Sequence, residues 1–442
     1  MFTRIGLLEH VGYGNLGDDA TVAALMHHIK ARRPQASIIG ITLNPYDTQK
    51  RHGIISYAIR RECKLAPPPP TPENKSTPRV RLKAVLSKYP ILFLVLRAVK
   101  TVTIRAPRVF FQEFLFLIES FRIAKCLDLL IICGGGQLRD SADGPYKFPS
   151  TLFKWVILAR LTGARCYFIN VGAGPLKTWP ARLFLRYALP LADYTSFRDQ
   201  QSQLTIRQIG FTGTSRVHAD CVYGLPLPER TIGRHTLGRR ESVVGISPMR
   251  VHWDKTPRTY SHIIRQLGRF GAWLACEQHR LQLLSTELWC DFQPIADLQT
   301  IITSEFPSSR ITCPRIDGIE SLLYQMSSMD YIVTCRFHGV VFAHLLNIPV
   351  LAISHHPKVA ALMKDVGLSD YCLDIGTFNL EQLIQTFNRL VANAAEIKNI
   401  MAERAAHYRG ELDRQFDSLF AEGRDWPAII RSNSRQYSSE SS

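Results

Sequence analysis

An arginine and a histidine two residues apart, in the string "TCRFHGVVFAH" at 334–344, carry the strongest chemical signal in this chain. Arg336 is a fixed cation whose planar fork grips a carboxylate or phosphate, and His338 moves a proton near neutral pH. They follow a strand-like apolar run, 330–334, and precede an apolar helix in which Gly339 lets the backbone start close beneath a ligand. In extended backbone, residues i and i+2 share a side. Arg336 and His338 are therefore expected to face one ligand while Phe337 packs the other way, which makes the pair an anion and proton site. After the next strand-like run comes "HHPK", 355–358, which adds Lys358. His355 and His356 have no companion motif at ligand spacing, so no metal is expected there. His344 reads as a packing or surface residue.

Other strand ends bring glycine and charge together. Arg198 stands at the tip of one in "TSFRDQQS", with Asp199 placed to cap the following helix. In "HVGYGNLGDDA", 10–20, Gly12, Gly14 and Gly17 allow a tight turn, and the next helix offers free N–H groups to an anion or polar sugar. The glycine spacing is not that of a dinucleotide fingerprint, and Asp18 and Asp19 would repel a pyrophosphate. Those aspartates equally suit the first turn of a helix through its dipole. In "CGGGQLRD", 133–140, Gly135 and Gly136 clear side chains from a strand end, and "NVGAGP", 170–175, does the same further on.

Parallel strands must position these loops. Strand-like runs at 5–8, 37–42, 129–133, 166–170, 194–197 and 216–218 alternate with helical stretches, as do runs at 243–247, 281–284, 309–312, 331–335 and 349–353. Such alternation predicts βαβ units and parallel sheets, with ligands outside the carboxyl ends of the strands. The expected division is an N-terminal α/β domain over 1–225, a linker over 226–242 rich in proline, glycine and charge, a C-terminal α/β domain over 243–425, and a polar tail over 426–442. A proline-rich run at 66–78 opens an insertion reaching to 112.

Composition narrows the classes. At 442 residues with 46% hydrophobic and 21% charged, the chain suits two globular domains and not a disordered one. Ten singly scattered cysteines give neither a disulfide framework nor a zinc site, which suits a reducing, cytoplasmic compartment. No secretory signal is expected, and the apolar run "ILFLVL" is far below the roughly 20 residues that span a bilayer. Net charge is +17, and between residues 74 and 112 there are nine basic residues and no acidic one, interleaved with aromatics. That stretch suits either an anionic membrane surface or a solvated basic face. No nucleic-acid-binding signature accompanies it.

In their order along the chain, "YGNLGDDA", "GGGQL", "GAGP", "FRDQQS", "HADCVYG", "VGISPMR" and "RFHGVVFAHLLNIPVLAISHHPKVAALMKDVGL" make the sequence resemble the polysaccharide pyruvyl transferase family. The resemblance implies two Rossmann-like, doubly wound domains in a GT-B-like arrangement. It also implies transfer of the pyruvyl group of phosphoenolpyruvate onto a saccharide as a ketal, in exopolysaccharide or cell-surface polysaccharide synthesis of bacterial type. No cofactor is implied, since phosphoenolpyruvate is a co-substrate. On this resemblance Arg198, Arg336, His338 and Lys358 form the phosphoenolpyruvate pocket, with His338 as general acid/base. The acceptor lies against Gly14, Asn15, Gly17, Asp18, Gly135 and Gly136, with Asp18 as a second base. The chain departs from the family in carrying His355 where a tyrosine is often found, and in its long basic stretch. The stretch would fit a lipid-linked oligosaccharide presented at the inner face of the cytoplasmic membrane.

Two other readings use the same fold. One is a GT-B glycosyltransferase acting on a nucleotide sugar, against which "CPRIDGIESLL" offers no obvious acidic ribose-binding motif. The other is a non-catalytic saccharide-binding protein, against which stand four charged groups at strand ends.

Overall fold

The computed structural model describes residues 2–64, 106–140, 144–228, 241–250 and 257–420. The expected tail, most of the linker and most of the basic stretch lie outside them.

Runs of β-branched and leucine residues form two sheets, and every pairing in both is parallel. The first has β1 (Arg4–Glu9), β2 (Ser37–Thr42), β3 (Ser56–Ala58), β4 (Leu129–Cys133), β5 (Arg165–Val171), β6 (Tyr194–Phe197) and β7 (Arg216–Val217), in the order β3-β2-β1-β4-β5-β6-β7. Ile5 of β1 lies opposite Ile38 on one side and Leu129 on the other. The second sheet has β8 (Val243–Ser247), β9 (Arg280–Leu283), β10 (Ile311–Thr312), β11 (Tyr331–Thr334), β12 (Val350–Ser354) and β13 (Cys372–Asp374), in the order β10-β9-β8-β11-β12-β13. In each sheet the order reverses beside the first strand, the crevice where α/β proteins bind ligands.

The central strands are apolar on both faces because helices cover both. Along β4, Leu129, Ile131 and Cys133 enter one apolar cluster while Leu130 and Ile132 enter another around Trp155 and Phe168. The first of these clusters runs on without a break into the second domain, through Tyr223 to Val340, Phe342 and Phe416. The two domains therefore share a core.

One helix reinforces that union. Ala394–Phe420 follows β13 yet packs against the first domain, burying Met401, Tyr408, Leu412, Phe416 and Leu419 along one stripe. Arg32 bonds to Asp413 and Asp417, His28 stacks on Phe416 at 4.3 Å, and Gln415 hydrogen-bonds Asn170, Ser196 and Tyr194.

Candidate active site

The strand ends from the two domains meet, and the second domain supplies the densest chemistry. Arg336 is the residue before the helix Phe337–Leu345 and is itself extended, with φ −101° and ψ 136°. Helical geometry begins at Phe337, so the expectation that Arg336 and His338 share a side fails. Phe337 does not pack away from the charges either. Its ring takes the guanidinium of Arg198 at 4.7 Å and the ammonium of Lys358 at 5.3 Å, so it holds two cations that would otherwise repel. Gly339, two residues further on, packs on Thr334 of β11, where a Cβ would stand 2.3 Å from its hydroxyl.

His338 crosses to the first domain. Its Nε2 lies 3.8 Å from the Asp220 carboxylate, and its ring fills the place where a side chain on Gly17 would begin. Burial pushes the imidazole below its ordinary pKa; Asp220 and Asp18 oppose that, while Arg198 and Lys358 add to it. Without a bound anion the ring is therefore held towards the neutral form.

Arg198 directly follows β6 with its side chain buried, 3.4 Å from Asp199 and 3.5 Å from Asp220. Asp199 also caps the helix Gln200–Gln208 by accepting from the Ser202 amide, as its type and position predict. Lys358 lies in the first turn of the helix Pro357–Val366, where His356 is the cap. Burial depresses the Lys358 ammonium to about 7, and the charges of Arg198 and Arg139 push the same way. Burial and Lys358, Arg198 and Arg139 likewise bring His356 down to about 4. Cations that depress one another at the mouth of a helix form a site whose energy falls when an anion arrives.

The glycine loop of the first domain faces this cluster, with a division of labour the sequence hides. The Asn15 side-chain oxygen accepts from the Gly17 and Asp18 amides, capping the helix Leu16–Arg32. That oxygen thus does the work of a helix cap, beside any contact with a saccharide. Asp18 is buried, 3.7 Å from His10; burial would raise its pKa, but the hydrogen bond and charge of His10, with His338 and Arg139, leave it lowered. Gly135, at φ +48°, opens the space between Asp18 and a second carboxyl, that of Glu9, whose oxygens would lie 3.5 and 3.4 Å from a Cβ there. Gly136 follows in the same turn, against Arg139. Glu9 is fully buried, accepts from Cys133 and Gln137, and is raised well above the carboxylate range by burial and by Asp18.

Arg336 departs most from expectation. Its guanidinium is paired with Asp291 and Glu287 of the loop after β9. Its charge still reaches Lys358, but its immediate partners are carboxylates of its own domain. His355 turns inward, its Nδ1 2.8 Å from the Cys335 carbonyl, and His344 is buried against the Tyr223 hydroxyl at 2.9 Å. Sequence reasoning missed Arg139, Glu9 and Asp220 as site residues. For Asp220 the signal was an aspartate following the β7 run, and for Arg139 a cation directly after the triple glycine.

A cleft of about 770 Å³ opens beside the cations, lined by Arg198, Asp220, Phe337 and Lys358 and by Arg404 and Glu411 of the helix Ala394–Phe420. Two Rossmann-like sheets joined through a shared core, with such a cleft between them, make this a protein of the GT-B class. Solved structures share the arrangement. UDP-GlcNAc 2-epimerase from Neisseria meningitidis bound to UDP-GlcNAc superposes with TM-score 0.57 at 11% identity, over 95% of this chain and 100% of that one. HepE from Anabaena in complex with UDP-glucose gives 0.54 at 13%, over 96% and 99%. Sucrose-phosphate synthase from Thermosynechococcus elongatus gives 0.50 at 14%, over 99% and 98%. No curated protein sequence matches the chain. The model of the polysaccharide pyruvyl transferase family matches residues 15–357, and the chain belongs to that family. Among the described residues, no helix is long and apolar enough to cross a membrane.

Proposed function

We propose that this protein transfers the pyruvyl group of phosphoenolpyruvate to two hydroxyls of a saccharide, forming a pyruvate ketal and releasing phosphate. The observation that carries this reading is the meeting of Arg198, Lys358 and His338 around Phe337 and Asp220 at the domain boundary. A donor with a carboxylate and a phosphate needs clustered cations, and an enol ether needs a proton at carbon.

The enol carbon C3 takes a proton and becomes methyl, leaving C2 electrophilic; one saccharide hydroxyl adds to C2 and loses its proton. The C2–O bond to phosphate then breaks, the second hydroxyl closes the ketal, and its proton leaves with phosphate. Each step is polar, so the chemistry requires no resident cofactor. Arg198, Lys358 and Arg139 bind the anionic groups, and their N–H donors stabilise the departing phosphate. His338 handles the proton. It is kept towards neutrality in the free protein, and the charge of the bound donor raises its pKa, so the acid is armed only when phosphoenolpyruvate is present. Asp18, with its lowered pKa, suits a hydrogen-bond acceptor that orients a saccharide hydroxyl better than a strong base.

Phosphoenolpyruvate and a growing saccharide meet in the cytoplasm on this reading, and the basic stretch at 74–112 suits a lipid-linked acceptor at an anionic membrane. Deleting 66–108 is expected to weaken association with anionic vesicles; unchanged association rejects that location. The decisive assay is phosphate release from phosphoenolpyruvate with a panel of saccharides, comparing the native protein with His338→Ala and Arg198→Ala. Release that depends on acceptor and falls in both variants supports the ketal reaction. Binding of a nucleotide sugar by calorimetry, with no phosphate release, replaces it with glycosyl transfer.

A further inference from the structure

Arg336 belongs to the second domain, yet the groups it holds tie that domain to the first. Asp291, fully buried, pairs with Arg336 through one oxygen. Its other oxygen accepts from the Glu287 amide at 3.0 Å and the Ser285 hydroxyl at 3.5 Å. Glu287 gives Arg336 a second carboxylate. Residues 285–291 are thereby folded into a turn around one guanidinium. That turn then pairs with the glycine loop across the domain boundary. The Leu16 amide donates to the Thr286 carbonyl at 3.0 Å, the Leu288 amide donates to the Gly14 carbonyl at 2.9 Å, and Asn15 and Glu287 form an antiparallel bridge. Gly14, at φ +72°, has the Trp289 indole where a Cβ would stand.

We infer that Arg336 is a positioning residue that fixes the acceptor-side glycine loop from across the domain boundary, and is not a ligand of the donor's anion. A guanidinium that turned to a substrate would leave Asp291 buried without its counter-charge, which proteins avoid. The turn, by contrast, uses that charge to present two backbone groups in register with Gly14 and Leu16. The words donor and acceptor rest on the function proposed above, but the mechanical role does not.

Amide hydrogen exchange on the full-length protein tests it without substrate. Arg336→Gln is expected to speed exchange at Leu16 and Leu288 by about tenfold or more, as a locally opened unit does, with amides of the helix Pro357–Val366 unchanged. Glu287→Gln, which leaves the Asp291 pair in place, is expected to give a smaller increase at the same two amides, and it decides the matter should Arg336→Gln not fold. Protection at Leu16 and Leu288 equal to the native protein's in the variants that fold overturns the inference. In the phosphate-release assay, Arg336→Gln is expected to raise KM for the saccharide and leave KM for phosphoenolpyruvate within about twofold; a rise in the latter alone also overturns it. Absence of any release by the native protein defeats the proposed reaction and leaves the exchange result to judge Arg336.

Discussion

His338 and Gly17, from different domains, share one place: a Cβ built on Gly17 would stand 1.8 Å from Nδ1 of the imidazole. The first turn of the helix Leu16–Arg32 thus forms the floor on which the His338 ring rests, and the glycine is required by that ring.

Gly17→Ala tests this contact. Alanine favours helix over glycine, so the local helix should not suffer. The ring must move, and phosphate release should fall on the order of 10²- to 10⁴-fold, the range for losing a placed general acid. Circular dichroism should still report a folded protein. Native turnover by the variant would show that the ring's position does not matter.

On the proposed function, Lys358 should set a pH limit. Its ammonium is depressed to about 7, and only the charged form attracts an anion. kcat/KM for phosphoenolpyruvate should therefore decline as pH rises through about 7. In Lys358→Arg the cation persists to higher pH, so the decline should move upward even if the rate at low pH falls. Identical profiles for the two proteins would remove Lys358 from donor binding.

Much of this arrangement was legible beforehand, for physical reasons that also explain the gaps. Runs such as 129–133 and 243–247 coincide with β4 and β8 because strands buried on both faces are written as largely apolar stretches, and 37–42 coincides with β2 through its isoleucines. β3 and β13 escaped notice: each has three residues at a sheet edge, where partial burial leaves no pattern. The cationic strand ends could be found because charge beside an apolar run is conspicuous. Glu9 could not, since a carboxyl ending a strand looks like a surface residue until Asp18 and Gly135 fold around it. Phe337 was misjudged because the helix starts at Phe337, two residues before Gly339 where extended spacing through His338 would have it open, and side-chain direction turns on that difference.

Glu9 carries a signature in stability. Its carboxyl is raised well above 4.5, by burial first and then by Asp18, so the folded protein keeps a proton that the unfolded chain releases. Its contribution to stability is full below the unfolded pKa and is lost as pH rises towards the folded one. Glu9→Gln cannot titrate. The unfolding free energy of the variant minus that of the native protein should rise as pH climbs above the ordinary glutamate range, with a slope of at most ~1.4 kcal/mol per pH unit. A difference that stays flat in denaturant titrations would mean that Glu9 ionises normally.

Gln415 anchors the helix Ala394–Phe420 to the first domain through Asn170, itself at φ +49°, and through Ser196 and Tyr194. Gln415→Leu leaves these buried partners short of a hydrogen bond and should cost about 1–3 kcal/mol. Urea unfolding reads the loss directly, and a shift of the midpoint within error would show that water replaces the side chain.

That helix also imposes an order on synthesis. Asn170 and Gln415 are 245 residues apart in the chain, so at roughly 5–20 residues per second the first domain waits roughly 12–50 s after its Asn170 is made before its partner emerges. During that interval His28 and Asn170 lack the partners, Phe416 and Gln415, that they meet in the folded protein. A helix translated long after the strands of the first domain thus completes their packing.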